Sequence, residues 1–182
     1  MRETRKQALE LCRAQGGVSA GRRFGEQWIE GRFRTPYLRN TLWELGYAVD
    51  TLETATTWDN VPRLLAQIET ALRGAPIGDG ERVHVFTHLS HVYAQGASIY
   101  TTYLFRLAAD PDETLARWQA LKGAASTAIV AGGGTISHQH GVGRDHAPYL
   151  AAEKGALGLS ALSAAVRCFD PHGQMNPGVL FE

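Results

Sequence analysis

Arg82-Val83-His84-Val85-Phe86-Thr87-His88-Leu89-Ser90-His91-Val92-Tyr93, then Ala94-Gln95-Gly96, then Ala97-Ser98-Ile99-Tyr100-Thr101-Thr102-Tyr103-Leu104-Phe105-Arg106-Leu107, is the stretch on which the fold turns. Both arms are rich in β-branched and aromatic residues, which fit a pleated, half-buried surface. The link is of hairpin length and contains a glycine. The stretch predicts two antiparallel strands over 82–93 and 97–107. In a regular first strand His84 and His88 share a face, and His91 turns to the other unless a bulge intervenes.

Upstream, residues 47–57 carry Tyr47, Val49, Leu52, Thr54, Thr56 and Thr57 and predict a further strand. Trp58-Asp59-Asn60-Val61-Pro62 then offers an N-cap and a first-turn proline for a helix through Leu64, Leu65, Ile68 and Leu72, which stops near Gly74. Downstream, Pro111-Asp112-Glu113 opens a long helix with Leu115, Trp118, Leu121, Ala125 and Ile129 at helical spacing. Gly132-Gly133-Gly134 suits its C-cap. Residues 135–140 are expected as one more short strand and 157–169 as a last helix. An amphipathic helix over about 3–13 and two further helical stretches over about 23–30 and 37–45 precede the sheet, with Pro36 separating the second from the third. The central order is that of a ferredoxin-like α+β sandwich: an antiparallel sheet with helices on one face, plus a C-terminal helical segment. The uncovered face is free to lie over something.

The 182 residues are enough for one core, and the single domain expected spans 1–182. Eighteen basic side chains balance eighteen acidic ones, so no overall field exists to hold a polyanion, and nucleic acid is not an expected partner. No apolar run approaches the roughly 20 residues of a membrane span. No signal-peptide core follows Met1, and the expected location is cytoplasmic. Cys12 and Cys168, far apart and without metal-type spacing, read as reduced thiols. No glycine-rich phosphate loop stands in a βαβ setting, so a dinucleotide would be held mostly by another domain.

Three groups carry candidate chemistry. The densest is His138-Gln139-His140-Gly141-Val142-Gly143-Arg144-Asp145-His146, three imidazoles and a guanidinium among flexible glycines. Imidazole trades protons near neutrality and arginine clamps anions. On a strand His138 and His140 would point to one side. Neither cysteine is close to them and no carboxylate ligand is evident in the sequence, so no metal site is assigned. The second group is His84, His88 and His91 beside Tyr93, Tyr100 and Tyr103. A strand tyrosine is usually a packing residue, but a phenol among cations ionises below its usual value of about 10 and can serve as a base. The third is Arg32-Phe33-Arg34-Thr35-Pro36-Tyr37-Leu38-Arg39, arginines around a turn that opens a helix, which suits a phosphate or carboxylate.

Taken in order, four segments resemble the C-terminal half of alkyldihydroxyacetone-phosphate synthases, members of the FAD-linked oxidase superfamily that includes vanillyl-alcohol oxidase and D-lactate dehydrogenases. They are Gly31-Arg32-Phe33 with Pro36-Tyr37-Leu38-Arg39-Asn40; Thr87-His88-Leu89-Ser90-His91-Val92-Tyr93 with Gly96-Ala97-Ser98-Ile99-Tyr100; Ile136 to Gly143; and Asp170-Pro171-His172-Gly173-Gln174-Met175-Asn176-Pro177-Gly178. The resemblance implies a cap domain lying over the flavin ring, with most of the FAD held by an N-terminal FAD-binding domain outside this chain. It implies an ether-lipid type exchange of acyl for alkyl on glycerone phosphate, with the flavin N5 holding the carbon between the two steps.

By the same resemblance, Tyr100 is the base, Arg39 grips the phosphate with His88 and His91 on the substrate side, and His138 and His140 steady the reacting oxygens. Asn176 and Gly141 meet the cofactor. Gln139 stands where the synthase pattern has another histidine, and Asn40 where it has an aspartate. The expected partners are the FAD-binding domain of the same protein, a small anionic substrate (phosphate or carboxylate) and a second copy of the chain. Two other readings stay open: an FAD-dependent oxidoreductase of a 2-hydroxy acid, and a free-standing, non-catalytic binding module.

Overall fold

The computed structural model describes residues 1–180 and divides the chain into two compact units, Met1–Thr41 and Leu42–Glu182. The first holds α1 (Arg2–Ala14), α2 (Arg23–Gly31), a 3-10 turn (Arg32–Arg34) and the start of α3 (Thr35–Glu44). Pro36 lies inside the first turn of α3 rather than between helices; a missing N–H costs little where the helix has no partner for it. The Arg32 guanidinium lies over the Trp28 ring at 4.7 Å, an electrostatic attraction to the ring face.

The second unit is built on β1 (Tyr47–Thr57), β2 (His84–Val92) and β3 (Gly96–Arg106), all antiparallel in the order β1-β3-β2. Alternation along β3 sends Ile99, Thr101, Tyr103 and Phe105 to one face, where each is almost fully buried. Two helices cover that face. In α4 (Val61–Arg73) the residues Val61, Leu64, Ile68 and Leu72 form the buried stripe, and in α5 (Pro111–Ala131) Leu121, Ala125 and Ile129 do. Leu64, with no exposed surface, sits where the two meet; truncating such a leucine to alanine costs about 2–5 kcal/mol. The opposite face of the sheet carries Glu53 and Ser98, both buried, and Tyr100, half-buried.

Glycines close the joints. A Cβ on Gly96 would lie 2.0 Å from the Thr56 carbonyl oxygen, so β3 approaches β1 there only because the side chain is absent. Gly132 to Gly134 terminate α5, with Gly132, Gly133 and Gly134 donating to the carbonyls of Ala128, Val130 and Ile129.

Four local expectations are corrected. Residues 135–140 do not form a strand; they lie along β1 through two separated bonds, Thr135 N–H to Ala55 O and His138 N–H to Glu53 O. Asn60 occupies the N-cap of α4 without capping it, because its amide donates to Thr56 Oγ1 and the Gly132 carbonyl instead. The last helix, α6, runs Gly143–Phe169 with a break at Gly155, well upstream of 157. Its first half was hidden by Pro148 and by glycines, and it is secured by buried Leu150 and by the Glu153 carboxylate accepting from Ile136 N–H. Tyr103 does not join the histidines: it turns to the helix-covered face and donates to Asp50. Cys12 and Cys168 are free and exposed. Among the described residues no helix is long and apolar enough to cross a membrane.

Candidate functional site

Register assembles the site. Glu53 on β1 pairs with Tyr100 on β3, which pairs with His88 on β2, so a carboxylate, a phenol and an imidazole form one row across the face opposite α4 and α5. Next to that row β2 breaks register between Leu89 and Val92, where an extra residue is accommodated. The bulge settles the orientation of His91, which a regular strand would send away: it reaches the same carboxylate as its neighbours.

Glu53 is the centre, its side chain only 3% exposed. One oxygen, Oε1, accepts from Ser90 Oγ at 2.6 Å and lies 3.1 Å from His91 Nδ1 and 3.3 Å from His138 Nδ1. The other, Oε2, is 3.2 Å from His140 Nε2. Ser98 stands behind, 2.7 Å from the Ser90 hydroxyl and accepting from His91 N–H at 2.9 Å. Burial, the largest influence, works to raise the Glu53 pKa; the hydrogen bonds from Ser90, Ser98, His91 and His138 together outweigh it and hold the carboxyl below its ordinary value. The group is therefore a fixed negative charge aimed at three imidazoles.

The loop after α5 delivers two of those rings. His138 is pinned by its N–H bond to the Glu53 carbonyl. Gln139 then takes a left-handed conformation, φ 61°, and Gly141 another, φ 73°, with Ser137 Oγ donating to the Gly141 carbonyl at 2.6 Å. This tight reversal, rather than strand alternation, brings both His138 and His140 onto the carboxylate. Aromatic rings surround them. Tyr100 stacks on His88 at 5.2 Å and stands edge-on to His140 at 5.8 Å. Tyr93 stands edge-on to His138 at 5.9 Å, and its hydroxyl is 3.1 Å from His138 Nε2.

Of the residues expected at the site, His88, His91, Tyr100, His138 and His140 are brought together, with Gly141 exposed at the end of the loop. Asn176, in the left-handed region at φ 47°, lines a cleft of about 900 Å³ with Val142 and Gly143, just beyond that loop. Arg39 is exposed on α3, in the first unit. His146, half-buried, lies 3.3 Å from the Gly141 carbonyl; burial, then the nearby Lys122 charge, push its pKa down.

Glu53 itself escaped the sequence reading, since nothing in Leu52-Glu53-Thr54 distinguishes it from any strand glutamate. Knowing the β1–β3 register would have found it. Its Oε1 and the Nδ1 atoms of His91 and His138 lie within 4.8 Å of one another, a donor set a divalent cation could also use.

The family described as FAD linked oxidases, C-terminal domain, matches residues 2–180. Alkyldihydroxyacetonephosphate synthase of Trypanosoma brucei brucei is 24% identical over 176 residues, 97% of this chain and 28% of that protein. The synthase of Caenorhabditis elegans is 29% identical over 157 residues, 85% of this chain and 26% of that protein. A solved structure of an alkyldihydroxyacetonephosphate synthase superposes with a TM-score of 0.57 at 20% identity, covering 88% of this chain and 25% of the other, a likeness of fold. The chain thus spans about a quarter of the length of these relatives. Glycolate oxidase subunit GlcD of Bacillus subtilis is 45% identical over 49 residues, 27% of this chain and 10% of that protein.

Proposed function

The chain belongs to the family of C-terminal domains of FAD-linked oxidases, and from that membership we propose that its 182 residues form the substrate half of a flavoenzyme that exchanges acyl for alkyl on a glycerone phosphate. One observation carries the reading: a buried, ionised carboxylate gathers three imidazoles on the face of the sheet opposite α4 and α5. Ring nitrogens held in fixed orientation stabilise charge on oxygens as it develops and cost no reorganisation when they act.

The chain's own residues suit only the ring side of the cofactor. Gly132 to Gly134 give no pyrophosphate cradle, because Cβ atoms at Gly132 and Gly134 would strike Leu64, Gln67 and Thr54 of the same unit. By contrast, in the row Glu53–Tyr100–His88 the carboxylate is buried, the phenol half-buried and the imidazole exposed, and the exposed end of that row is where a planar partner would lie. When bound, FAD would supply an electron-accepting ring there, with Gly141 and Asn176 at its border. Tyr100 would remove the proton from the substrate carbon, His138 and His140 would hold the reacting oxygens, His88 and His91 would contact the substrate, and Arg39 of the first unit would serve as an anion-binding residue. A second reading, oxidation of a 2-hydroxy acid, is favoured by the 49-residue similarity to the glycolate oxidase subunit.

Anaerobic mixing of the flavin-loaded full-length protein with substrates separates the two. Exchange of a fatty alcohol into acyl glycerone phosphate with the flavin absorbance at 450 nm (about the usual flavin maximum) retained is expected; bleaching by a 2-hydroxy acid with no exchange would replace the first reading by the second. Isothermal titration of this chain alone with FAD should show weak binding or none, and a stoichiometric complex would overturn the division of labour.

A further inference from the structure

Three imidazoles share the Glu53 carboxylate, and among the described residues only one of them passes its other nitrogen on to a second side chain. His138 presents Nδ1 to Glu53 Oε1 at 3.3 Å and Nε2 to the Tyr93 hydroxyl at 3.1 Å. We propose that Glu53, His138 and Tyr93 form a carboxylate–imidazole–phenol relay in which Tyr93 takes the proton of a substrate hydroxyl. The proposal rests on the reading above that this face meets substrate.

The assignment of protons follows from the donor inventory. An ionised carboxylate only accepts, so His138 must donate from Nδ1. In the neutral ring Nε2 then carries the lone pair, and the Tyr93 O–H is the donor to it. The order is that of a buried acid orienting an imidazole that draws a proton from a hydroxyl. Exposure follows the same direction: the Glu53 side chain is 3% exposed, that of His138 16%, and Tyr93 43%. The outermost member is the one a substrate can touch.

Tyr93 is also held in place. Its N–H donates to Gly96 O at 2.8 Å and its carbonyl accepts from Trp58 Nε1 at 3.1 Å. The residue borders a groove of about 690 Å³ with Thr56, Asn60 and Arg63. Tyr100 differs: its ring packs on His88 and His140, and among the described residues its hydroxyl has no hydrogen-bond partner. Two phenols thus divide the work, Tyr100 at carbon and Tyr93 at oxygen. In the step, the substrate O–H bond breaks with its electron pair staying on the substrate oxygen. Its proton bonds to the Tyr93 oxygen as the Tyr93 proton moves to His138 Nε2. The imidazolium so formed faces the Glu53 charge, and the alcohol oxygen is left nucleophilic.

Long-range nitrogen–proton NMR of the ¹⁵N-histidine-labelled chain reads the relay without flavin or substrate. The expected result is His138 as the Nδ1–H tautomer, with Tyr93→Phe moving the Nε2 resonance alone and Glu53→Gln erasing the tautomer preference while the β-sheet amide pattern persists. A His138 Nε2–H tautomer, or indifference to Tyr93→Phe, overturns the relay whatever the enzyme does. Stoichiometric Zn²⁺ binding with the Nδ1 signals of both His91 and His138 displaced also overturns it, since those atoms would then be ligands.

In the full-length protein, Tyr93→Phe should lower alcohol-dependent turnover about 100-fold. Exchange of the substrate carbon proton with solvent deuterium should continue, and Tyr100→Phe should stop it. Unchanged turnover in Tyr93→Phe overturns the proposal. A full-length protein inactive on every hydroxyl substrate, with the NMR pattern intact, brings down the functional reading and the substrate role of Tyr93 together and leaves the hydrogen-bonded triad standing.

Discussion

Asp50 and Glu53 stand three residues apart on β1, and the odd spacing sends them to opposite faces of the same sheet. Each is a largely buried carboxylate with several donors around it and a pKa below the ordinary value. Asp50 Oδ2 accepts from Tyr103 at 2.9 Å, Trp118 Nε1 at 2.8 Å and Lys122 Nζ at 3.3 Å. For Asp50, burial is the largest influence and raises the pKa; the Lys122 charge, then the bond from Trp118, bring it down. The Tyr103 phenol is pushed far above its usual range, first by burial and then by Asp50. Tyr103 thus keeps its proton in the bond to Asp50, and the bonds from Trp118 and Lys122 lock α5 to the sheet. Around Glu53 the donors are imidazoles and serines, on the face opposite α4 and α5. The same arrangement, built from groups that exchange protons, becomes a site.

Removing each carboxylate tests that contrast. Asp50→Ala leaves Lys122, with a side chain 11% exposed, without its counter-charge, and should cost about 3–5 kcal/mol, read as a lower urea midpoint at unchanged slope. Glu53→Gln should cost less, about 1–3 kcal/mol, because the amide keeps an acceptor oxygen for the Ser90 and imidazole donors and no lysine loses its counter-charge. If the two losses are equal, the open face is as structural as the covered one.

Acid sharpens the comparison next. Glu53 has an ordinary pKa of 4.5 and a lowered folded one. Below 4.5 the unfolded chain takes up a proton first, so the stability Glu53 contributes is complete above that pH and is lost as pH falls through the folded value. Glu53→Gln should flatten the acid limb of stability against pH; Asp50 contributes in the same sense, from its ordinary 3.8 downward.

A smaller effect belongs to His146, whose pKa is lowered from 6.5. The unfolded chain protonates first as pH drops below 6.5, so stability declines there, and His146→Gln should remove that slope in thermal melts taken between pH 7 and pH 5 (about the histidine range). Smallest is Gln139→Gly. Relief of the left-handed φ is offset by glycine's entropy, leaving a gain of about 0.5–1 kcal/mol at most. A loss beyond 1 kcal/mol (about the size of a hydrogen bond) would mean that the Gln139 side chain supports the site.

Periodicity and turn chemistry are local properties, and the sequence alone therefore determined β1 to its limits, the hairpin of β2 and β3, the buried stripes of α4 and α5, and the glycine end of α5. The two histidine clusters were legible as residues rich in transferable protons. Only the tertiary structure decided that they are one cluster. Strand register placed Glu53 beside Tyr100 and His88, a bulge turned His91 inward, and a left-handed Gln139 folded the loop back. Each depends on backbone pairing between segments about 40 to 85 residues apart, where loop closure and packing, not neighbouring side chains, set the geometry. For the same reason Glu53 carried no mark in the sequence, and Tyr93 none that set it apart from Tyr100 and Tyr103: what distinguishes them is which atom lies 3.1 or 3.3 Å away.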